Sequence, residues 1–288
     1  MRKRSRMALR AAWAMGLALA GFASAGCGGG SQGKPHERVA GAAHDTAAQA
    51  HDRHWGYVES AETVGPEHWG TISGDELCAQ GREQSPIALF TTSDSSAAPQ
   101  DLPNLVFHYQ RSQLQLTNNG HTIQIAADSG STLRIGADEF RLAQFHFHSP
   151  SEHTLDGRSY PMEAHFVHVD AEGHPAVVAG VLIRVGKPNA ALAEAFAHLP
   201  AHAGETSDLP GALIDQAQVL PTRKVYISYA GSLTTPPCSE GIRWCVLTTP
   251  IEMSKEQIHA FTSLPGFAHI NRPIQPRAGR PVAIDSTP

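Results

Sequence analysis

The segment Gln144-Phe145-His146-Phe147-His148 alternates polar and aromatic residues, and it constrains the fold more than any other part of the chain. Successive side chains of a β-strand point to opposite faces, so Gln144, His146 and His148 share one face and the two phenylalanines the other. The two histidines then lie roughly 6.5 Å apart at their Cα atoms, which lets both imidazoles reach one ion. The pattern predicts a strand with two imidazoles on its polar face.

A third imidazole follows within one hairpin. Asp156-Gly157 is a tight-turn signal, and a hairpin through it returns His165 beside His146 and His148. Three neutral imidazoles without a thiolate match an open zinc site in which water is the fourth ligand. Histidines that line a solvated sheet face would show the same alternation, so the pattern alone leaves both interpretations open.

Two polar residues favour the metal site over the solvated face. Gln144 and Glu163 each lie two residues before a histidine, so each shares the face of that histidine and can accept its second ring N–H. Such partners fix the tautomer and the orientation of metal-ligating histidines.

Residues 1–27 have the features of a secretory signal. A basic head of five Lys and Arg residues precedes the apolar run 11–20, which is too short to span a bilayer. Ala23-Ser24-Ala25 suits ordinary cleavage, whereas Ser24-Ala25-Gly26-Cys27 resembles a lipoprotein box with Cys27 as the lipid-bearing residue. The second interpretation is modestly favoured. We therefore expect an exported protein, periplasmic or membrane-anchored, that contacts a membrane only through a lipid on Cys27.

Charge bounds the partners of the exported chain. Of the 22 basic residues, five lie in residues 1–27, which contain no acidic residue. The rest of the chain therefore has 17 basic and 27 acidic residues, which gives it a net charge of −10. This charge argues against nucleic acid as a partner and does not affect the binding of a small neutral substrate.

Residues 28–53 are rich in Ala, Gly, Gln and His without periodicity and are predicted to form a flexible tether. A solvated linker is favoured over metal scavenging by its histidines.

Residues 54–288 are predicted to be one mainly β domain with few helices. Short strands are expected at 105–109, 113–117, 122–126, 132–135, 140–148, 162–169, 176–185, 224–229 and 242–248. Helices are expected at 189–198 and 254–264, the second opened by a capping box in Ser254-Lys255-Glu256-Gln257. No internal repeat is visible.

The motifs FHFHSPSEHTLDG (145–157) and MEAHFVH (162–168) resemble the α-class carbonic anhydrases in their bacterial secreted form. Further matches are 84–87 (QSPI), 118–121 (NNGH) and 231–237 (GSLTTPP), in family order from about His54 to Arg272. The resemblance implies a large twisted, mostly antiparallel sheet with peripheral short helices and Zn²⁺ in a central cleft. It also implies reversible hydration of carbon dioxide to bicarbonate and a proton, with weak esterase activity as a side reaction.

The resemblance assigns roles to individual residues. The zinc held by His146, His148 and His165 activates a hydroxide near neutral pH, an effect for which carbonic anhydrase itself is the standard example. Thr234 accepts a hydrogen bond from the hydroxide and donates one to Glu152, and His121 is the proton shuttle. The residues expected to contact carbon dioxide are Val167, Val178, Leu233, Thr235, Ile242 and Trp244. For Val178 and Ile242, ordinary core packing remains an open alternative.

The resemblance also implies a disulfide between Cys78 and Cys238, which leaves Cys245 as a core thiol in a buried strand. It implies cis peptides before Pro86 and Pro237. Bacterial relatives often form homodimers, and nothing in these residues decides that question. Two other classes of function stay open: a non-catalytic binding module, and a zinc carrier that uses the site together with the His-rich tether.

Overall fold

The computed structural model describes residues 54–92 and 97–285. The predicted signal segment 1–27, with Cys27, and the predicted tether 28–53 lie outside these residues. Within them the strands are β1 His54–Trp55, β2 Thr63–Val64, β3 Ala88–Leu89, β4 Ala97–Gln100, β5 Leu105–His108, β6 Arg111–Asn118, β7 Ile123–Ala126, β8 Thr132–Ile135, β9 Asp138–His148, β10 Thr154–Leu155, β11 Met162–Val169, β12 Pro175–Val185, β13 Thr206–Asp215, β14 Tyr226–Ser232, β15 Glu240–Met253 and β16 Val282–Asp285.

Helices are few and short. The α-helices are α1 Leu77–Gln80, α2 Ala193–Ala197 and α3 Lys255–Thr262, and the 3₁₀ turns are Trp69–Thr71, Ala190–Leu192, Gln216–Val219 and Phe267–His269. The capping box before α3 is present: the Ser254 hydroxyl accepts from the Gln257 amide, and the Gln257 side chain accepts from the Ser254 amide. The predicted helix 189–198 is a 3₁₀ turn followed by α2. No helix of the described residues is long and apolar enough to cross a membrane.

One twelve-stranded sheet organises the described residues. Its order is β13-β6-β7-β9-β11-β12-β15-β14-β16-β4, with β8 pairing both β9 and β5. Most neighbours are antiparallel, as predicted, but β12 and β15 pair in parallel at the centre, and so do β16 and β4. The predicted fold class is confirmed, with these parallel pairs as an addition that the sequence did not indicate.

The pairing of β9 with β11 sets the geometry of the sheet centre. The chain turns through Asp156 (φ 51°) and Gly157 (φ 74°), and positive φ at both positions is what a type I′ turn requires. The returning strand places His165 directly opposite His146. Phe145 and Phe147 are fully buried on the other face, within the larger hydrophobic core. The predicted alternation is therefore present.

The strand β13 was not predicted, and its composition explains why. It lies at one edge of the sheet, most of its residues are exposed or half-buried, and it contains Pro210 and Gly211. Proline is tolerated at a sheet edge because its missing N–H can face solvent, yet it argues against a strand when the sequence is considered alone. The register of β13 against β6 shifts between Asp208 and Leu213, around these two residues.

The cysteines are placed as predicted. Cys78 and Cys238 form a disulfide with Cα atoms 5.1 Å apart, and Cys245 is a buried free thiol. Burial raises the pKa of the Cys245 thiol to about 11. The peptide bonds before Pro86 and Pro237 are cis, and so is the bond before Pro150.

His168 is a fully buried histidine on the core side of β11, and its protonation is coupled to the stability of the fold. Its Nε2 lies 2.7 Å from the Tyr109 hydroxyl and its Nδ1 3.3 Å from the Val177 carbonyl oxygen. Burial lowers the pKa of His168 to about 3, against the effect of its hydrogen bonds to backbone carbonyls. The folded state therefore favours the neutral ring, whereas the unfolded chain takes up a proton near pH 6.5.

We predict that His168 makes the protein less stable as the pH falls from about 6.5 toward 3, by at most about 1.4 kcal/mol per pH unit. His168→Phe should lower the free energy of unfolding at pH 7.5 by about 1–3 kcal/mol, because the Tyr109 hydroxyl loses its partner. The difference between parent and variant should then shrink on acidification. Urea unfolding of both proteins between pH 4.5 and 7.5 measures this. A difference that stays constant over that range would contradict the prediction.

Candidate metal centre

Strands β9 and β11 bring the three predicted ligands together. One ring nitrogen of each of His146, His148 and His165 lies within 4.8 Å of the corresponding nitrogens of the other two. His148 and His165 are buried and His146 is half-buried. The ring centroids are 4.5–5.4 Å apart, and the ring planes are steeply inclined to one another. Such rings point at a common centre and do not stack.

Each of the three rings donates its other nitrogen's hydrogen to a protein oxygen. The pairs are His146 Nδ1 to Gln144 Oε1 (2.9 Å), His148 Nδ1 to the Ile270 carbonyl (2.7 Å) and His165 Nε2 to Glu163 Oε1 (3.0 Å). The nitrogens left for a metal are therefore Nε2 of His146, Nε2 of His148 and Nδ1 of His165. Gln144 and Glu163 thus lie where the sequence pattern predicted them. The Ile270 carbonyl was not predicted, because a backbone oxygen 122 residues away leaves no signal in the sequence.

The residues present fit a zinc ion. His148 Nε2 is buried and has no hydrogen-bond partner among the residues that the structure describes, as expected of an atom whose partner is a cation. Burial lowers the pKa of all three histidines, to about 4 for His148 and well below the usual value for His146, with the neighbouring imidazoles adding to the effect. All three rings are thus neutral at neutral pH, which metal binding requires. Three histidines with a fourth position open are the ligand set of a catalytic zinc site.

Glu163 anchors a second buried network behind His165. Its Oε1 accepts from His165 Nε2 and lies 2.7 Å from His153 Nδ1, and its Oε2 accepts from the His153 amide (2.8 Å). His153 Nε2 in turn lies 2.6 Å from the Tyr229 hydroxyl. Burial raises the pKa of Glu163, but its interactions with His153 and His165 outweigh burial and hold that pKa well below the usual value. Glu163, His153 and His165 are therefore a hydrogen-bonded network and not a second metal site, although they are close enough together for one.

Sequence reasoning gave His153 and Tyr229 no role. Both belong to motifs that matched the family or flanked a match, but a histidine beside a turn cannot be identified as buried from its neighbours in the sequence. Only the long-range packing of β14 against β15 brings Tyr229 toward it.

Glu152 lies against the same site and is fully buried. Its Oε1 accepts from the Arg272 backbone amide (2.8 Å) and lies 3.6 Å from His148 Nδ1, while its Oε2 lies 3.9 Å from His165 Nδ1. Burial raises the pKa of Glu152 to about 7, against lowering effects from His165, the Arg272 amide and the Thr234 side chain. Thr234 is close enough to influence the carboxylate, yet Oε2 makes no hydrogen bond of good geometry with any described residue. The predicted pair is therefore adjacent, and a hydrogen bond from the Thr234 side chain is among the effects that lower the pKa of Glu152.

The loop that carries Thr234 is fixed by short-range hydrogen bonds. The Leu233 amide donates to the Ser239 carbonyl (3.0 Å), the Cys238 amide to the Thr235 carbonyl (2.9 Å) and Trp244 Nε1 to the Ser232 carbonyl (3.0 Å). Thr235 is half-buried in this loop. The disulfide at Cys238 ties the end of the loop to α1.

The predicted apolar wall is contiguous. Val167, Val178, Ile242 and Trp244 belong to one buried cluster, and Leu233 packs against it. Val178 pairs with both Val167 and Trp244 in the sheet, and the Trp244 ring lies 4.9 Å from the His165 ring. The same side chains thus fill a core and border the metal centre, so core packing and the predicted substrate contacts do not exclude each other.

His121 lies just before β7, whose Gln124 pairs with His146. Its ring is half-buried and stacked on Trp55, with centroids 3.6 Å apart and planes inclined by 12°. Burial, and in addition the nearby His54, lower the pKa of His121. The turn before it is fixed by Asn119, whose Oδ1 accepts from the amides of His121 and Thr122. The predicted shuttle is thus held on an aromatic surface one strand away from His146.

Comparison with known proteins agrees with this geometry. Residues 64–286 match the family model described as eukaryotic-type carbonic anhydrase. The chain is 42% identical over 236 residues to a carbonic anhydrase of Pectobacterium atrosepticum, which covers 82% of this chain and 92% of that protein. It is 43% identical over 232 residues to a carbonic anhydrase of Nostoc sp., which covers 80% of this chain and 85% of that protein.

A solved structure extends the match to three dimensions. The α-carbonic anhydrase of Thermovibrio ammonificans, in complex with the inhibitor sulfanilamide, superposes with a TM-score of 0.74 at 42% identity and covers 80% of this chain and 99% of that one. The residues that match the family model span most of the described residues and include the three histidines. The chain therefore belongs to the eukaryotic-type, or α-class, carbonic anhydrase family.

Proposed function

We propose that this chain catalyses the reversible hydration of carbon dioxide to bicarbonate and a proton, with Zn²⁺ held by His146, His148 and His165. The observation that carries the proposal is the set of three neutral rings whose outer nitrogens are all bonded to protein oxygens, which leaves three nitrogens directed at one point. When bound there, zinc supplies the Lewis acidity that lets a water molecule ionise near neutral pH.

Thr234 and Glu152 orient the attacking oxygen. A carboxylate only accepts hydrogen bonds, so an ionised Glu152 makes the Thr234 hydroxyl donate to it and leaves the Thr234 oxygen free to accept a hydrogen bond from a ligand. The pair then selects for ligands that carry a proton at this position. A divalent cation among the three histidines favours the ionised form of Glu152, whose pKa is about 7 from burial.

The apolar wall suits the substrate. Carbon dioxide is small, has no net charge and is electrophilic at carbon, so it needs an apolar surface beside the nucleophile and no charged pocket. Val167, Val178 and Trp244 supply that surface next to the His165 ring. Leu233 packs against this surface from the loop, Ile242 belongs to it from β15, and Thr235 of the same loop is proposed to contact carbon dioxide as well. Activated esters also present an electrophilic carbon, and weak esterase activity is part of the proposal.

His121 transfers the proton that is released in each cycle. Proton loss directly to water is slow for a group that titrates near neutrality, and a histidine that titrates in the same range relieves this limit. The ring stacks on Trp55 and is half-buried, so part of it remains open to solvent.

We predict that His121→Ala lowers kcat for hydration by at least about 10-fold in dilute buffer, because the nearby proton acceptor is lost. Added imidazole should restore turnover by accepting the proton from solution. Stopped-flow hydration measured across buffer concentrations provides the test. His174→Ala, in an exposed turn, is the matched control and should behave like the parent. Unchanged turnover of His121→Ala in dilute buffer would remove His121 from the mechanism.

We predict one zinc ion per chain, bound through the histidine trio. His148→Ala should lower zinc affinity by 100-fold or more and abolish sulfonamide-inhibitable hydration, because it removes one of three ligands. Metal analysis of the purified protein, paired with a hydration assay, measures both. His198→Ala, an exposed histidine outside the site, is the control. One zinc per chain without hydration activity would instead favour a binding module or a zinc carrier.

We also propose that residues 1–27 direct export and that Cys27 carries a lipid, which places the catalytic domain in the periplasm or on a membrane. The support is the basic head, the apolar run and the box that ends in Cys27. Mass spectrometry of the mature N-terminus should show a diacylglycerol-modified Cys27. An unmodified start at Gly26 would show plain cleavage.

The homodimer remains a prediction from the resemblance alone. Sedimentation of the mature domain would decide whether it forms.

A further inference from the structure

Arg272 is a buried arginine, only 1% exposed, to which sequence reasoning gave no role. Its Nη1 donates to Gln84 Oε1 and to the Ser85 carbonyl, and its Nη2 donates to the Cys78 carbonyl, all at 2.8 Å. The guanidinium also lies 5.8 Å from the Trp69 ring centroid. A planar fork of donors fits three fixed acceptors in a way that a lysine ammonium cannot.

The backbone around Arg272 makes two contacts with the metal centre. The Arg272 amide donates to Glu152 Oε1 (2.8 Å), and the Ile270 carbonyl accepts from His148 Nδ1 (2.7 Å). Residues 270–272 have no regular secondary structure, so no strand or helix ladder fixes this backbone. Within the segment, the Ile270 amide donates to the Ser149 carbonyl. The Ile270 side chain is buried in the larger hydrophobic core, and the Arg272 side chain reaches Cys78, Gln84 and Ser85, so these two side chains hold the segment.

Both halves of the disulfide are joined to the same guanidinium. Cys78 accepts from Arg272 directly, while Gln84 Nε2 donates to the Cys238 carbonyl (3.0 Å) and Gln84 Oε1 accepts from Arg272. The covalent bond between Cys78 and Cys238 therefore fixes the positions of the acceptors that hold Arg272. The anchor is rigid because a disulfide limits how far the two backbones can separate.

Retaining a charge here is costly. Burial lowers the pKa of Arg272 to about 10, against the raising effect of Glu152, and its Nε has no hydrogen-bond partner. A buried charge with an unpaired donor destabilises a fold unless its remaining contacts compensate. Those contacts are the hydrogen bonds to Gln84, Ser85 and Cys78.

We infer that Arg272 is a positioning residue: its guanidinium, held by Gln84 and by the disulfide-linked backbone, fixes the backbone of residues 270–272 so that this backbone orients Glu152 and the metal ligand His148. The inference rests on the proposed function, and it names the part of the chain that aligns Glu152 with Thr234. Arg272 itself does not touch the reacting atoms.

The test compares Arg272→Met with Arg280→Met in the full-length, zinc-loaded protein. Arg280 is the matched control because it is also buried and donates to the backbone carbonyls of Ala230, Gln84 and Pro276, yet its own backbone contacts neither Glu152 nor His148. For Arg272→Met we expect kcat to fall about 10-fold or more with a smaller change in KM, the usual size of effect for a lost outer partner of a metal site. Melting temperature and zinc content are measured for every variant.

Ligand discrimination separates positioning from simple loss of stability. A sulfonamide brings an N–H for the Thr234 oxygen to accept, whereas azide has no proton to donate. Arg272→Met should weaken sulfonamide binding about 10-fold and leave azide affinity equal or tighter, because Thr234 is no longer held as an acceptor. Arg280→Met should lower the melting temperature while the ratio of the two affinities stays at the parent value.

Two outcomes would overturn the role of Arg272: a parent-like kcat and affinity ratio in Arg272→Met, or the same changes in Arg280→Met. If Arg272→Met does not fold, Gln84→Ala decides, since it keeps Arg272 but removes an acceptor and the link to Cys238; an unshifted affinity ratio in Gln84→Ala then overturns the inference. A parent protein that binds zinc but hydrates no carbon dioxide would refute the proposed function. An active parent with an unaffected Arg272→Met refutes only the inference.

Discussion

The register between β9 and β11 is the constraint on which the rest of the site depends. His165 pairs with His146, and Glu163 pairs with His148, so ligands and their hydrogen-bond partners arrive on one face together. A slip by one residue would move all of them to the core face and bring Phe145 and Phe147 out, because side chains alternate along a strand. Because the two phenylalanines must stay buried on one face, the histidines are held on the opposite face, where they can bind one ion.

Strand β12, which pairs with the other edge of β11, also restricts the packing around Glu163. Gly180 of β12 pairs with His165, and a Cβ placed there would lie 3.0 Å from Glu163 Oε1 and 3.3 Å from Val246. A larger residue at this position would crowd the Glu163 carboxylate, which would have to shift by a few tenths of an ångström. The close approach lets one buried carboxylate bind both His165 and His153, and those two partners keep it ionised in spite of burial. Sheet packing and ligand orientation are in this respect a single requirement.

How much of the site could be predicted from the sequence depended on how far apart along the chain the interacting residues lie. The ligands, Gln144, Glu163 and the Asp156-Gly157 turn were predictable because each lies within two residues of a feature that fixes its face. The disulfide and the roles of His121, Glu152 and Thr234 came only from the resemblance, and His153 was missed because its burial depends on strands far along the chain. The Ile270 carbonyl and the Arg272 side chain act from an irregular segment at the other end of the domain. A backbone oxygen carries no residue identity, so no sequence pattern could have named it.

Unpaired polar atoms show where the fold accepts a cost. Among the described residues, the buried side-chain atoms without a hydrogen-bond partner are His148 Nε2, Glu152 Oε2, Gln216 Oε1 and Arg272 Nε. Three of these four belong to the metal centre or to the residue that positions it. Each such atom costs about 1–3 kcal/mol, and a fold selected for stability alone would satisfy or remove them. His148 Nε2 is one of the three nitrogens that a metal ion would contact, and Glu152 Oε2 lies 3.9 Å from another of them, His165 Nδ1. At His148 and Glu152, a bound ligand can therefore compensate the free energy lost by the unpaired atoms. Arg272 Nε has no such ligand. Its unfavourable free energy is offset by the order that the other Arg272 donors impose on residues 270–272.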